Sequence, residues 1–523
     1  MRIRALIASV VCGVVLVPAI GSAQALTSLA SVRVGYTTRK NTVKPQGELK
    51  AQIDALDAQI AEAARLGKNG ELRRLFAKGM ALLNGRPWTD ALEFSNSLVL
   101  RTNGVVVDSS KPYLVRLEQI YTPSISLEHA LTAKVGIYKR PSGPPGAAGA
   151  PPQAPVLVKE LGTFEGVGRD LRESPFPFEL DLREIADGSY VLVANVTDRE
   201  TALGAVNLPV SLHKGLDDLV ARLQNEATRA PENLRPEILF PVDRMKNVDR
   251  GRLELRTFDP EKELSAAEAV VTAVKAKKDP FAGRTGDIKR HYALESADEI
   301  LPYRMFVPKA YTGAKAFPLI VALHGLGGTE DSFFDGYTSA LPPLAESHGY
   351  IVAAPLGYRV DGFYGWGLGN PPADPTTKRT QELSEQDVMQ VLQHVRHLYK
   401  IDDNRIYLMG HSMGAIGTWK VAPKYPDLWA AIAPISGNGA PATLERIRSV
   451  PEIVVHGDAD PTVPVSGSRT MVAKLKEMGT EVKYIEVPGG LHSDVVAPNL
   501  AAVIEFFDTH RKTARGTSAG GTR

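Results

Sequence analysis

A chain of 523 residues is long enough for about three domains, and its 43% hydrophobic and 23% charged residues are an ordinary globular balance able to bury a sizeable core. The formal net charge of +2 argues against a nucleic-acid or polyanion binder. Without Arg2 and Arg4, which lie in the leader described next, the chain is neutral.

Residues 1–25, MRIRALIASVVCGVVLVPAIGSAQA, place two arginines before an apolar run from Ala5 to Ile20 and then turn to small residues. The pattern predicts a secretory signal peptide, cut after Ala25 or after Ala23. The run is short for a membrane span and Pro18 interrupts it. The sole cysteine, Cys12, lies inside the run, and the bulky Val11 before it disfavours lipid attachment. The mature protein is expected to be exported, to a periplasm or beyond the cell, with no membrane span and no disulfide.

Residues 26–96 read as a helical hairpin. Leu49, Ile53, Leu56 and Ile60 recur at three- and four-residue steps, Gly67 and Gly70 interrupt, and Leu72, Leu75, Phe76 and Met80 form a second stripe. From 97 to 212 the period changes to two, in short β-branched runs bounded by turn residues. That spacing predicts a small accessory β-sandwich, immunoglobulin-like in outline, with a solvated Pro/Gly/Ala tract from Arg140 to Pro155 inserted between two strands. Residues 213–287 form a helical connector and linker. One of its helices is expected to start at Ser265, which with Glu268 has capping-box spacing. The last residues, 511–523, are basic, small and aperiodic and read as a disordered tail.

Residues 288–510 carry the chemistry. Two stretches fit G-x-S-x-G, and context separates them. GTSAG, Gly516 to Gly520, has no strand before it and no helix after it, and is a chance match. GHSMG, Gly410 to Gly414, follows the apolar run Arg405 to Met409 and precedes a small-residue helix start. Strand, tight turn and helix would hold Ser412 in an exposed, strained position as a nucleophile, with glycines where a side chain would collide.

A serine hydroxyl needs a base, and the base an orienting acid. After the strand Ile453 to His456 come Asp458 and Asp460, and after the strand Val482 to Val487 comes His492. Upstream, PLIVALHGLGG (318–328) runs a buried strand into a glycine-rich loop. The backbone N–H groups of Leu326 and Met413 are the expected oxyanion hole. Phe363, Tyr364 and Trp366, in a Gly- and aromatic-rich loop after another strand, are candidates for a substrate pocket. Glu385 and Asp387 are expected at the start of the following helix. His324, His411 and His456 end strands and are expected to fix loops. No zinc-enzyme spacing such as H-E-x-x-H occurs, so no metal is called for.

Together LHGLGG, NRIYLMGHSMGAIGTW, HGDADPTVPV and GGLHS resemble the α/β-hydrolase superfamily. The likeness is to its secreted esterase branch of feruloyl esterase and polyhydroxybutyrate-depolymerase-like enzymes, close to prolyl-oligopeptidase-type hydrolases. The resemblance covers a little under half the chain and implies an α/β fold with a mostly parallel sheet. It also implies that the acid is the aspartate of D-x-x-V-P, Asp460, leaving Asp458 as a turn residue. The expected activity is hydrolysis of a small-molecule or polymer-borne carboxylic ester through an acyl-enzyme, without a cofactor. A prolyl-oligopeptidase-type serine peptidase is the alternative, although the first half shows no propeller repeat. A non-catalytic polymer-binding or adhesion protein is the second alternative.

Overall fold

The computed structural model describes residues 29–125, 127, 129–139, 155–253 and 255–512. The signal-peptide reading, nearly all of the Pro/Gly/Ala tract, GTSAG and all but two residues of the tail lie outside these residues.

Four helices open the described chain: α1 (Leu29–Val43), α2 (Gly47–Arg65), α3 (Asn69–Leu83) and α4 (Asp90–Ser97). The stripes of α2 and α3 pack together through Ile53, Leu56, Leu72, Leu75 and Phe76. Helix α1 is an addition to the expected hairpin. Tyr36 is its one buried residue, so it carries no apolar stripe for periodicity to detect.

Eight strands follow: β1 (Leu98–Thr102), β2 (Val106–Asp108), β3 (Tyr113–Gln119), β4 (Leu131–Lys139), β5 (Val156–Val167), β6 (Phe176–Leu180), β7 (Gly188–Asp198) and β8 (Thr201–His213). They form a three-stranded sheet, β1-β3-β6, and a five-stranded sheet, β2-β8-β7-β4-β5. Alternate residues face inward, as in β3, whose burial alternates along its length. Val115, Leu117 and Phe178 of one sheet share a core with Val135, Leu192 and Val210 of the other.

The connector holds α5 (Leu216–Arg229), α6 (Arg235–Asp249) and α7 (Pro260–Lys275). The Ser265 cap is corrected by the structure. Helix α7 begins at Pro260, and the Asp259 side chain accepts the Lys262 N–H at 3.2 Å. Proline at the first helical position, with an aspartate before it, outweighs an internal Ser/Glu pair. Helix α6 lies against the edge of the next sheet. The Glu237 carboxylate there accepts from Arg290 Nε and pairs with His291 Nδ1, each at 2.6 Å and all three buried. Burial would raise Glu237, yet the two adjacent bases hold its carboxyl below the usual carboxylate range.

The second half contains β9 (Gly286–Leu294), β10 (Glu299–Val307), β11 (Phe317–Leu323), β12 (Ile351–Pro355), β13 (Ile401–His411), β14 (Ala431–Ile435), β15 (Glu452–Gly457) and β16 (Val482–Val487). They form one sheet in the order β16-β15-β14-β13-β11-β12-β10-β9. Five of its pairings are parallel, and the β10–β12 and β9–β10 pairings are antiparallel. Helices α8 (Ser332–Asp335), α9 (Leu341–His348), α10 (Pro375–Leu398), α11 (Met413–Lys424), α12 (Ser466–Glu477) and α13 (Val496–Thr509) cover it. Every residue of β11 is buried. Leu319, Val321 and Leu323 join the core on one face, and Ile320 and Ala322 the core on the other.

One buried acid makes stability pH-dependent. Glu452 is fully buried, with Trp419 Nε1 donating to Oε2 at 2.9 Å, and burial pushes its carboxyl from 4.5 up to about 8. The folded chain holds this proton up to about pH 8, whereas the unfolded chain releases it near 4.5. Stability from this group therefore declines as pH rises through that window, by at most about 1.4 kcal/mol per pH unit. Glu452→Gln keeps an acceptor for Trp419 and should remove the decline. Melting curves of the two proteins should diverge between pH 5 and 8 in favour of the glutamine variant.

Candidate active site

The parallel strands end on one edge of the sheet, and the loops leaving β11, β12, β13, β15 and β16 meet there. Ser412 sits between β13 and α11 with φ +56° and ψ −115°, a conformation few non-glycine residues adopt. Its own N–H donates to the Ile435 carbonyl at 2.9 Å, and Ile416 N–H returns to the Ser412 carbonyl at 3.0 Å. The flanking glycines are obligatory. A Cβ at Gly410 would stand 2.2 Å from the Gly414 oxygen, and one at Gly414 would stand 2.0 Å from the Leu323 oxygen. Gly414→Ala should cost about 3 kcal/mol or more and lower the melting temperature by roughly 6 °C or more, which calorimetry would measure.

His492, on the turn after β16, lies with Nε2 2.8 Å from Ser412 Oγ and Nδ1 2.7 Å from Asp460 Oδ2. This geometry assigns the tautomer: Nδ1–H donates to the carboxylate, and Nε2 is left to accept the serine proton. The Asp460 side chain is fully buried. Oδ1 accepts the amides of Thr462 and Val463 at 2.8 and 3.0 Å, while Oδ2 also meets His456 Nε2 at 3.2 Å. Burial alone would raise Asp460, but the bonds from His456, His492 and the backbone outweigh it and hold the carboxyl far below the usual carboxylate range.

Asp458, the other acid open at the sequence level, points elsewhere. It is exposed, and its Oδ1 accepts the Gly489 N–H at 2.7 Å, bracing the turn that presents His492.

The three other histidines occupy supporting positions. His411 faces the Tyr337 hydroxyl through Nδ1 at 2.8 Å and the His492 carbonyl through Nε2 at 2.9 Å. Burial and the adjacent His492 push it down to about 4, so it is a neutral strut for the His492 turn. His324 is buried between the Gly325 and Leu356 carbonyls. His456 spans Ser468, Asp460 and the Val463 carbonyl.

The HGLGG loop runs over Ser412: a Cβ at Gly325 would lie 3.4 Å from that of Ser412. Gly327 N–H donates to the Val360 carbonyl at 2.8 Å and Gly328 N–H to Gly325 at 3.0 Å, fixing the loop that carries Leu326. Met413 is the first residue of α11, where a helix leaves its N–H groups without intrahelical acceptors.

The aromatic loop divides. Tyr364 is fully buried, its ring against Gly357 and Gly417 and its hydroxyl donating to the His324 carbonyl at 3.1 Å. It therefore supports the HGLGG strand end from beneath and does not line an open pocket. Phe363 and Trp366 are partly exposed, under Lys420 and Lys424 at 5.3 and 5.7 Å from the ring centres. Glu385 and Asp387 are also corrected: α10 starts at Pro375 behind the Asp374 cap, which puts both acids well inside it. Glu385 binds Lys424 and the Tyr425 hydroxyl, and Asp387 accepts from the Tyr292 hydroxyl and Tyr358 N–H.

The N-terminal helices reach this site. Asn41 Nδ2 donates to the Pro461 carbonyl at 2.8 Å, and Thr38 Oγ1 donates to Thr462 Oγ1 at 3.1 Å, so α1 clasps the loop that carries Asp460. No local sequence signal reveals a contact across some 420 residues. Among the described residues no group of three or more His, Cys, Asp or Glu could hold a metal ion, and no helix is long and apolar enough to cross a membrane.

Residues 296–471 match the family described as "Putative esterase". The chain is 26% identical over 227 residues to the putative esterase NocK of Nocardia uniformis subsp. tsuyamanensis, covering 43% of this chain and 58% of that protein. It is 31% identical over 119 residues to feruloyl esterase B of Neurospora crassa, covering 23% of this chain and 38% of that enzyme. With cutinase est1 of Thermobifida alba it shares 29% over 173 residues, 32% of this chain and 52% of the cutinase. The chain thus spans less than two thirds of each of these relatives. Among solved structures, a thermostable esterase aligns over 79% of this chain and 99% of its own at 19% identity, with a TM-score of 0.37.

Proposed function

We propose that this chain, whose residues 296–471 belong to the esterase family of the α/β-hydrolase superfamily, is an exported serine hydrolase that cleaves carboxylic esters. The observation that carries the reading is the unbroken relay from Ser412 Oγ through His492 to the buried Asp460, at 2.8 and 2.7 Å.

Ser412 Oγ attacks the ester carbonyl while His492 Nε2 takes its proton. Asp460 holds the ring in this tautomer and stabilises the imidazolium. The N–H groups of Leu326 and Met413 donate to the oxyanion of the tetrahedral intermediate. His492 then protonates the departing alcohol, and water, activated by the same base, releases the acid from the acyl-enzyme. No cofactor takes part. Phe363 and Trp366 flank the substrate. The helical segment and β-sandwich, immunoglobulin-like in outline, form an accessory module whose α1 steadies the acid loop. Export rests on the leader at 1–25.

Hydrolysis of p-nitrophenyl esters from acetate to octanoate, with a ferulate ester alongside, tests this reading. Ester turnover in the intact protein supports it, and the chain-length profile begins to define the pocket. No ester turnover, with fluorophosphonate labelling retained, would move the assignment to peptides. Neither activity nor labelling would overturn the enzyme reading altogether.

A further inference from the structure

A cavity of about 680 Å³ lies on the antiparallel side of the large sheet. Three separate segments build it: Arg252 from the stretch after α6, Glu299 at the start of β10, and Tyr358, Arg359, Asp361 and Arg379 from the loop after β12 and the first turns of α10. Three guanidinium groups thus meet two carboxylates around one space, an excess of one positive charge.

The groups differ in freedom. The Arg359 side chain is only 12% exposed and is held by Glu299 Oε1 at 2.7 Å, the Tyr358 carbonyl at 2.9 Å and the Tyr358 ring at 3.8 Å. Glu299 also faces Arg252 at 3.6 Å, so its charge is already matched. Arg252 and Arg379 are half-exposed at the rim. Arg252 donates to Asn247 Oδ1, and Arg379 donates to the Ser296 carbonyl and faces Glu382 at 3.6 Å. Ala297 and Leu383 add an apolar strip to the wall. A fixed cation at the base, two adaptable ones at the rim and an apolar flank suit an organic carboxylate, which guanidinium groups bind in bidentate fashion.

The position ties this cavity to catalysis. Tyr303 of β10 pairs with Pro355 of β12 in antiparallel register, so Glu299 projects past the same sheet edge that carries Ser412. In the order β13-β11-β12-β10 the cavity stands two to three strands from the nucleophile, roughly 10–14 Å at the usual strand spacing. Its loop also touches the HGLGG turn through the bond from Gly327 N–H to the Val360 carbonyl.

We propose that this cavity is a subsite for an organic carboxylate carried on the substrate roughly 10–14 Å from the scissile ester, so that the enzyme favours esters that bear a distal negative charge. Its catalytic meaning rests on the esterase reading above; its binding chemistry does not. Calorimetry of the full chain with trigalacturonate, and with xylotriose as the neutral counterpart, tests it apart from turnover. Trigalacturonate should bind at least tenfold more tightly than xylotriose, and the preference should fade in 0.5 M salt. Arg252→Ala/Arg379→Ala should weaken trigalacturonate binding at least tenfold. Arg379→Lys, which keeps the charge, should lose less than Arg379→Ala, and it serves should the double variant fail to fold. No binding, equal binding of the neutral sugar, or undiminished binding by a folded double variant would overturn the subsite. p-Nitrophenyl acetate hydrolysis by the wild type, run in parallel, reports separately on the esterase reading.

Discussion

Ser412→Ala should lower kcat for p-nitrophenyl acetate by about 10⁴-fold or more, with little change in melting temperature. The size follows from the arrangement. Ser412 Oγ lies 2.8 Å from His492 Nε2, so removing it deletes the proposed nucleophile and leaves His492 with nothing to activate but water. Residual rate acceleration from the oxyanion donors and substrate binding should remain, at roughly 10³-fold over water. The fold should tolerate the change, because alanine is smaller and the strained φ of +56° is imposed by the neighbouring strand and helix. Fluorophosphonate labelling should vanish with the hydroxyl. A variant that keeps most of its ester activity would remove Ser412 from the reaction.

Asp460→Asn should come next in size, with Asp458→Asn as its control. The amide would offer His492 an N–H donor and favour the opposite ring tautomer, one that points a proton at Ser412. Comparable substitutions cost about 10⁴ in kcat. The Asp458 carboxylate accepts the Gly489 N–H and does not bond His492, so its amide keeps an acceptor there and should cost less than about tenfold. The pair of measurements decides the acid: equal losses, or a larger loss at Asp458, would overturn the assignment. Because Asp460 is held far below the usual carboxylate range, it stays ionised throughout the working range and does not set the acid limb of the pH–rate profile.

The legible part of this protein was the part enforced by local backbone demands. Gly410 and Gly414 are glycine because the Leu323 and Gly414 carbonyls leave no room for a Cβ. A strained turn of that kind leaves a five-residue signature beside a strand. The buried strand β11 showed as an unbroken apolar run for the same reason. Such constraints act over a few residues, so sequence by itself was enough to read the strands that lead into the HGLGG and GHSMG loops, and to single out Ser412, His492 and the two acids Asp458 and Asp460 as candidates.

Tertiary structure decided what depends on residues far apart in the chain. Asp460 and Asp458 differ by two positions, and only the placement of His492 and Gly489 separates the carboxylate that meets the imidazole from the one that braces the turn. Tyr364 looked like a pocket residue among Phe363 and Trp366, and only packing against Gly417 shows it to be buried. Helix α1 has no stripe, yet its Asn41 steadies the loop of Asp460. Nor did an overall charge of +2 hint that Arg252, Arg359 and Arg379 converge on one cavity. A hydrogen bond or ion pair across hundreds of residues constrains neither neighbour in sequence, so it leaves no period and no motif, and only the folded chain brings its partners together.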